Sequence, residues 1–149
     1  MGNTFVRATL GRAGAHAVSR RSDTHPTWET MTDAWVAIID DHESIRSALG
    51  RVMRIERIRA EVFASAEEYL DHTPATAPCC LVLDMQLPGM SGYKLAQFLE
   101  RERPPLPPTI FISAHEDLLA SLEGGCLAHG RLRKPFDVNA LLALVQPLL

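Results

Sequence analysis

From Ala34 onward, short apolar runs rich in β-formers alternate with stretches in which apolar residues recur at helical spacing. Trp35-Val36-Ala37-Ile38-Ile39 is too short for a helix and predicts a buried strand that ends on Asp40-Asp41. Ile45, Leu49, Val52 and Met53 then fall on one helical stripe, with Arg46, Arg51 and Arg54 between them. Residues 58–63 predict a weaker strand with partial alternation. Ser65-Ala66-Glu67-Glu68 matches a capping box and opens a short helix through Asp71. Pro74 and Pro78 punctuate the loop into a strand at 79–83, whose apolar run stops on Asp84. After the Pro88-Gly89 turn, Leu95, Phe98 and Leu99 stripe a helix starting near Ser91. It ends before Pro104-Pro105-Leu106-Pro107-Pro108, a run with PxxP spacing that reads as a stiff connector.

Residues 109–113 predict the next strand, and Leu118, Leu119 and Leu122 a short helix stopped by Gly124-Gly125. A last, weak strand is expected across residues 126–133. Lys134-Pro135-Phe136-Asp137 then leads into a final helix, with Asp137 as its N-cap. Strand and helix thus alternate five times, and the connections are short enough only for parallel pairing through crossovers. That order predicts an α/β fold of the flavodoxin-like, doubly wound (βα)5 type: a five-stranded parallel sheet in the order 2-1-3-4-5, with helices on both faces.

Residues 1–33 break the pattern: small and polar residues, scattered arginine and no sustained periodicity. They read as a disordered N-terminal extension, or as sequence upstream of a start at Met31. A transit peptide and a basic docking arm are the alternatives. Residues 34–149 form the expected domain.

Composition narrows the function classes. Four arginines and two acids lie in residues 1–31, which leaves residues 32–149 with 11 basic and 16 acidic side chains and a net charge of −5. That balance argues against a nucleic-acid surface. Cys79, Cys80 and Cys126 make no disulfide framework, so a reduced, cytoplasmic setting is expected. No apolar run reaches the roughly 20 residues that span a bilayer, so no membrane partner is expected. The six histidines show no metal-ligand spacing, and His42 reads as a solvent-facing residue at a helix start.

The topology brings the chemistry to one edge. In the order 2-1-3-4-5, strands 1 and 3 are neighbours at the switch point, where ligands sit beyond the carboxyl ends of strands. Asp40 and Asp41 end the first strand, Asp84 the third and Ser113 the fourth, and Lys134 follows the fifth. Three converging carboxylates repel one another unless a cation neutralises them, and oxygen-only ligation suits Mg²⁺ (or Mn²⁺). Lysine and a hydroxyl would hold phosphoryl oxygens, and Asp84 would receive a phosphoryl group as an acyl phosphate. Lys134 is one of only two lysines among 15 basic residues.

Ile38-Ile39-Asp40-Asp41, Leu83 through Gly92, Ile112-Ser113-Ala114-His115 and Lys134-Pro135-Phe136 together resemble the receiver domain of two-component response regulators, over about residues 34–149. Their detail resembles the subgroup typified by the nitrogen-fixation regulator FixJ. The resemblance implies Asp84 as phosphoacceptor, and Asp41, Asp84 and the main-chain carbonyl of Gln86 as metal ligands, with Asp40 acting through water. It implies phosphoryl contacts from Ser113 and Lys134, a cis Lys134–Pro135 bond, and control of phosphoryl lifetime by Gln86 and His115. At the aromatic switch position, three residues before the lysine, stands Arg131.

The expected function is a single-domain response regulator in a phosphorelay. It would be phosphorylated by a histidine kinase or histidine phosphotransfer protein, would signal by contact with an unknown downstream protein, and would not be an enzyme beyond self-phosphorylation and slow autodephosphorylation. A degenerate receiver working as a phosphorylation-independent interaction module is the alternative. A phosphatase with an aspartyl nucleophile is disfavoured, because such enzymes need a second acid where Gln86 stands. Val138–Leu149 carries no charge and has leucine at 141, 142, 144, 148 and 149. An exposed apolar patch and a homodimer through the last helix are expected there.

Overall fold

The computed structural model describes residues 34–122 and 127–149. The expectations for residues 1–33, the Gly124-Gly125 stop and Cys126 fall outside the described residues. Within them the elements alternate as β1 (Trp35–Ile39), α1 (Glu43–Ile55), β2 (Arg59–Phe63), α2 (Ala66–Asp71), β3 (Cys80–Asp84), α3 (Gly92–Glu102), β4 (Thr109–Ser113), α4 (Glu116–Ala120), β5 (Ala128–Arg133) and α5 (Val138–Val145). A single 3₁₀ turn, Gln146–Leu148, follows α5. All strand pairings are parallel, in the order β2-β1-β3-β4-β5. The expected fold class is therefore the observed one.

Burial follows position in the sheet. β1, β3 and β4 are buried at every residue, as apolar runs covered on both faces should be. The outer strands β2 and β5 carry exposed residues, and β5 alternates strictly. One apolar layer packs Trp35, Ala37, Ile39, Leu81, Leu83 and Phe111 against α2, α3 and α4. The other packs Val36, Ile38, Val82, Ile110 and Ile112 against α1 and α5. Side-chain alternation along the strands thus deals the core to two faces and leaves the carboxyl ends of β1 and β3 to polar groups.

Local signals set the helix starts. Ser65 Oγ accepts from Glu68 N and Asp137 Oδ1 from Asn139 N, so both N-caps read from the sequence are formed, and Ser91 Oγ, at the expected start of α3, accepts from Lys94 N. A backbone irregularity shifts the β4–β5 register between Thr109 and Ile110. Beyond it, Gly130 lies under Leu144 of α5, where an added Cβ would come within 2.8 Å of that side chain.

The last helix corrects the sequence expectation. Leu141, Leu142 and Val145 are buried, and Val138, Leu144 and Leu148 pack against the same layer. At 100° per residue these positions, with Leu149, span an arc of about 160°, a single broad face and not several. The outward positions are Asn139, Ala140, Ala143, Gln146 and Pro147. Of the leucines, only Leu149 is exposed, so the expected leucine patch is absent from α5.

Candidate functional site

The carboxyl ends of β1 and β3 place Asp40 and Asp84 side by side, both buried, at 0% and 2% exposure. Such carboxylates need partners, and each oxygen has one. Lys134 Nζ, just after β5, donates to Asp40 Oδ2 at 2.8 Å and to Asp84 Oδ2 at 2.9 Å. Asp40 Oδ1 accepts from the His42 main-chain N–H at 2.8 Å, and Asp84 Oδ1 from the Gln86 N–H at 2.9 Å. The lysine is held by its own backbone, since its N–H donates to the Ser113 carbonyl at 2.8 Å. The Lys134–Pro135 bond is cis.

Ser113 is fully buried at the end of β4, and its Oγ accepts from the His115 N–H at 3.0 Å. A hydroxyl that accepts this bond keeps its own O–H for donation. His115 itself is exposed as the N-cap of α4. Asp41 projects further out, and the Gln86 side chain faces solvent.

Charge is balanced unevenly. Burial pushes the Asp84 carboxyl above its ordinary value, and the neighbouring Asp40 charge adds to this, against the pull of the Gln86 N–H and Lys134. Burial works against the Lys134 ammonium, yet Asp40 and Asp84 together hold its pKa above the ordinary value. The attraction therefore keeps the lysine charged but does not fully offset the desolvation of Asp84. That is the state of a carboxylate that gains from a further cation. Asp40, Asp41, His42 and Asp84 each offer one donor atom, and all four atoms lie within 4.8 Å of one another. Hard carboxylate oxygens open to solvent on one side fit Mg²⁺, which keeps several waters.

The loops around the site are tightly built. An added Cβ at Gly92 would overlap the Asp84 main-chain carbonyl and stand 3.1 Å from Leu83 Cγ, so only glycine lets α3 begin against the end of β3. Gly89 in the intervening turn has φ of 75°. Sequence reading missed two supports. Glu67 Oε2 on α2 accepts from the Met90 N–H at 3.0 Å, and Arg46 Nη1 donates to the Asp40 carbonyl at 2.8 Å. The Glu67 contact joins residues 23 apart and leaves no local trace. Arg46 was visible only as a polar residue on α1.

Arg131 stands apart from this constellation. It is exposed on β5, in register with Phe111 of β4. Its neighbour Arg133 lies 3.4 Å from Glu116. Burial raises the Cys79 thiol, and burial first, then its neighbour Cys79, push the Cys80 thiol up to about 12.

The family model described as response regulator receiver domain matches residues 36–146. The chain belongs to that family. Receivers of this family accept a phosphoryl group on an aspartate. Over 113 residues the chain is 36% identical to the DNA-binding transcriptional regulator NtrC of Klebsiella pneumoniae, covering 75% of this chain and 24% of the relative. It is 27% identical over 116 residues to the transcriptional regulatory protein FixJ of Bradyrhizobium diazoefficiens, 77% of this chain and 56% of that one. Among solved structures, the BeF3-activated receiver domain of DrrB superposes with a TM-score of 0.64 at 28% identity, covering 77% of this chain and 97% of that one. The receiver spans about a quarter of NtrC and about half of FixJ. No helix among the described residues is long and apolar enough to cross a membrane.

Proposed function

We propose that Asp84 of this receiver takes a phosphoryl group from the phosphohistidine of a histidine kinase or histidine phosphotransfer protein. An Asp84 carboxylate oxygen attacks phosphorus, the P–N bond breaks, and the imidazole leaves as its proton is restored from solvent. Asp41, Asp84 and the main-chain carbonyl of Gln86 would hold Mg²⁺ (or Mn²⁺), with Asp40 joined through water. When bound there, the dication would offset charge on the transferring oxygens. Lys134 moves from neutralising two carboxylates to contacting a phosphoryl oxygen, and the Ser113 hydroxyl donates to another. Gln86 and His115, both exposed at the mouth, govern the approach of hydrolytic water. The added charge then biases the Ser113 loop and α4, and the state is read by a downstream protein.

The observation that carries this reading is the Lys134 ammonium bridging the buried Asp40 and Asp84 carboxylates at 2.8 and 2.9 Å. Incubation with acetyl phosphate and Mg²⁺ tests it by intact mass. The wild-type chain gains one phosphoryl group, and the Asp84→Asn variant gains none; equal uptake by that variant would sink the assignment. A second reading, a receiver acting as a constitutive interaction module, draws on the exposed Arg131 in place of an aromatic ring. Absence of both millimolar Mg²⁺ binding and phosphoryl uptake in the wild-type chain would favour it.

A further inference from the structure

His42 is the one member of the four-residue donor cluster that the phosphoryl chemistry leaves without a task. It follows directly on Asp41 and caps α1. Its backbone is fixed on both sides: the N–H donates to Asp40 Oδ1 at 2.8 Å, and the carbonyl accepts from Ile45 N at 3.1 Å and Arg46 N at 3.0 Å. Its ring is 60% exposed at the open side of the site, with Nδ1 3.1 Å from Asp40 Oδ1 and 3.2 Å from Asp41 Oδ1.

The separation from Asp41 Oδ1 has a meaning beyond hydrogen bonding. Donors about 2.1 Å from a six-coordinate dication stand about 3 Å apart when they occupy adjacent positions. His42 Nδ1 is therefore spaced from the oxygen of Asp41, the carboxylate read as a direct ligand, as a neighbouring ligand would be. An imidazole nitrogen adds little for Mg²⁺, a hard ion that prefers oxygen and its own waters. It adds more along the series from Mn²⁺ to Ni²⁺ and for Zn²⁺.

We infer that His42 Nδ1 is a further side-chain donor of the cation site and tilts its selectivity away from Mg²⁺ toward nitrogen-accepting transition dications. The inference rests on the reading of Asp41 and Asp84 as a cation site. The competing account is that His42 only orients Asp40 and Asp41 by hydrogen bonding, in which case its loss weakens every dication alike.

Pulsed electron paramagnetic resonance of Mn²⁺ on the full chain separates the two. The wild-type chain shows ¹⁴N modulation from one imidazole. The His42→Ala variant, whose replaced ring is largely solvent-exposed, still binds Mn²⁺ but loses that modulation. Calorimetric titration with NiCl2 and MgCl2 gives the second readout. The Ni²⁺ affinity of His42→Ala falls at least about tenfold while its Mg²⁺ affinity changes less than about twofold. Oxygen-only Mn²⁺ in the wild-type chain, modulation that persists in His42→Ala, or equal proportional losses for Ni²⁺ and Mg²⁺ would each overturn the inference. Failure of the wild-type chain to bind either Mn²⁺ or Mg²⁺ would overturn the cation-site reading itself, and this inference with it.

Discussion

Two regions of this receiver are built on opposite principles. At the receiving end, the carboxyl termini of β1 and β3 hold buried charges, each oxygen partnered at 2.8–2.9 Å, in loops where one extra methyl group would collide with backbone. In the other region, β5 is an edge strand whose Arg131 and Arg133 face solvent, beside an α5 helix held by apolar packing and an Asp137 cap. The difference teaches that the carboxylate site depends on fixed geometry, whereas the outer strand presents charged side chains to solvent on one side and packs with the other.

Four changes break or sharpen that contrast. The largest effect is expected from Leu141→Ala in α5. Leu141 is fully buried, and a cavity there should lower stability by about 4 kcal/mol in urea unfolding. A loss under about 1 kcal/mol would return α5 to the role of an exposed interface helix. Gly92→Ala should follow at about 3 kcal/mol, because the new Cβ must displace the Asp84 carbonyl or the start of α3. It should also slow phosphoryl uptake, which Leu141→Ala, at temperatures where it stays folded, should not.

Asp84→Asn should act in the opposite direction on stability. The folded Asp84 carboxyl binds its proton at higher pH than the ordinary value of 3.8. Wild-type stability should therefore rise as pH falls through the folded value toward 3.8, and the variant should lack that rise. The variant is then the more stable protein at neutral pH, with an advantage that shrinks on acidification. An advantage that grows on acidification would mean that the ion pair with Lys134 outweighs burial. The smallest effect is expected from Arg131→Ala: a stability change within about 0.5 kcal/mol and an unaltered uptake rate. A severalfold change in uptake would show that β5 reaches the site after all and would erase the contrast.

The receiving end was also the more legible one in the sequence. Continuous apolar runs at Trp35–Ile39, Cys80–Leu83 and Thr109–Ile112 can only be strands covered on both faces, and each stops at the polar residue that enters the site. Caps at Ser65 and Asp137, and the helix start near Ser91, are local and were readable for that reason. What escaped depends on tertiary placement. Glu67 reaches the Met90 N–H across the sheet edge, and Arg46 turns inward to the Asp40 carbonyl. The leucines of α5 were read as facing several ways because a short helix shared between the sheet and α1 needs a broader apolar arc than a single stripe. In the sequence, His42 reads as a solvent-facing residue at a helix start. Its ring is exposed, and it also lies against both carboxylates.

The central claim is that Asp84 is the acceptor. Sodium borohydride reduces an aspartyl phosphate to homoserine, so treatment after acetyl phosphate and Mg²⁺ marks the acceptor covalently. Tandem mass spectrometry should find homoserine at position 84 of the wild-type chain, and none when Mg²⁺ is left out. Homoserine at position 40 or 41 in place of 84 would contradict the account.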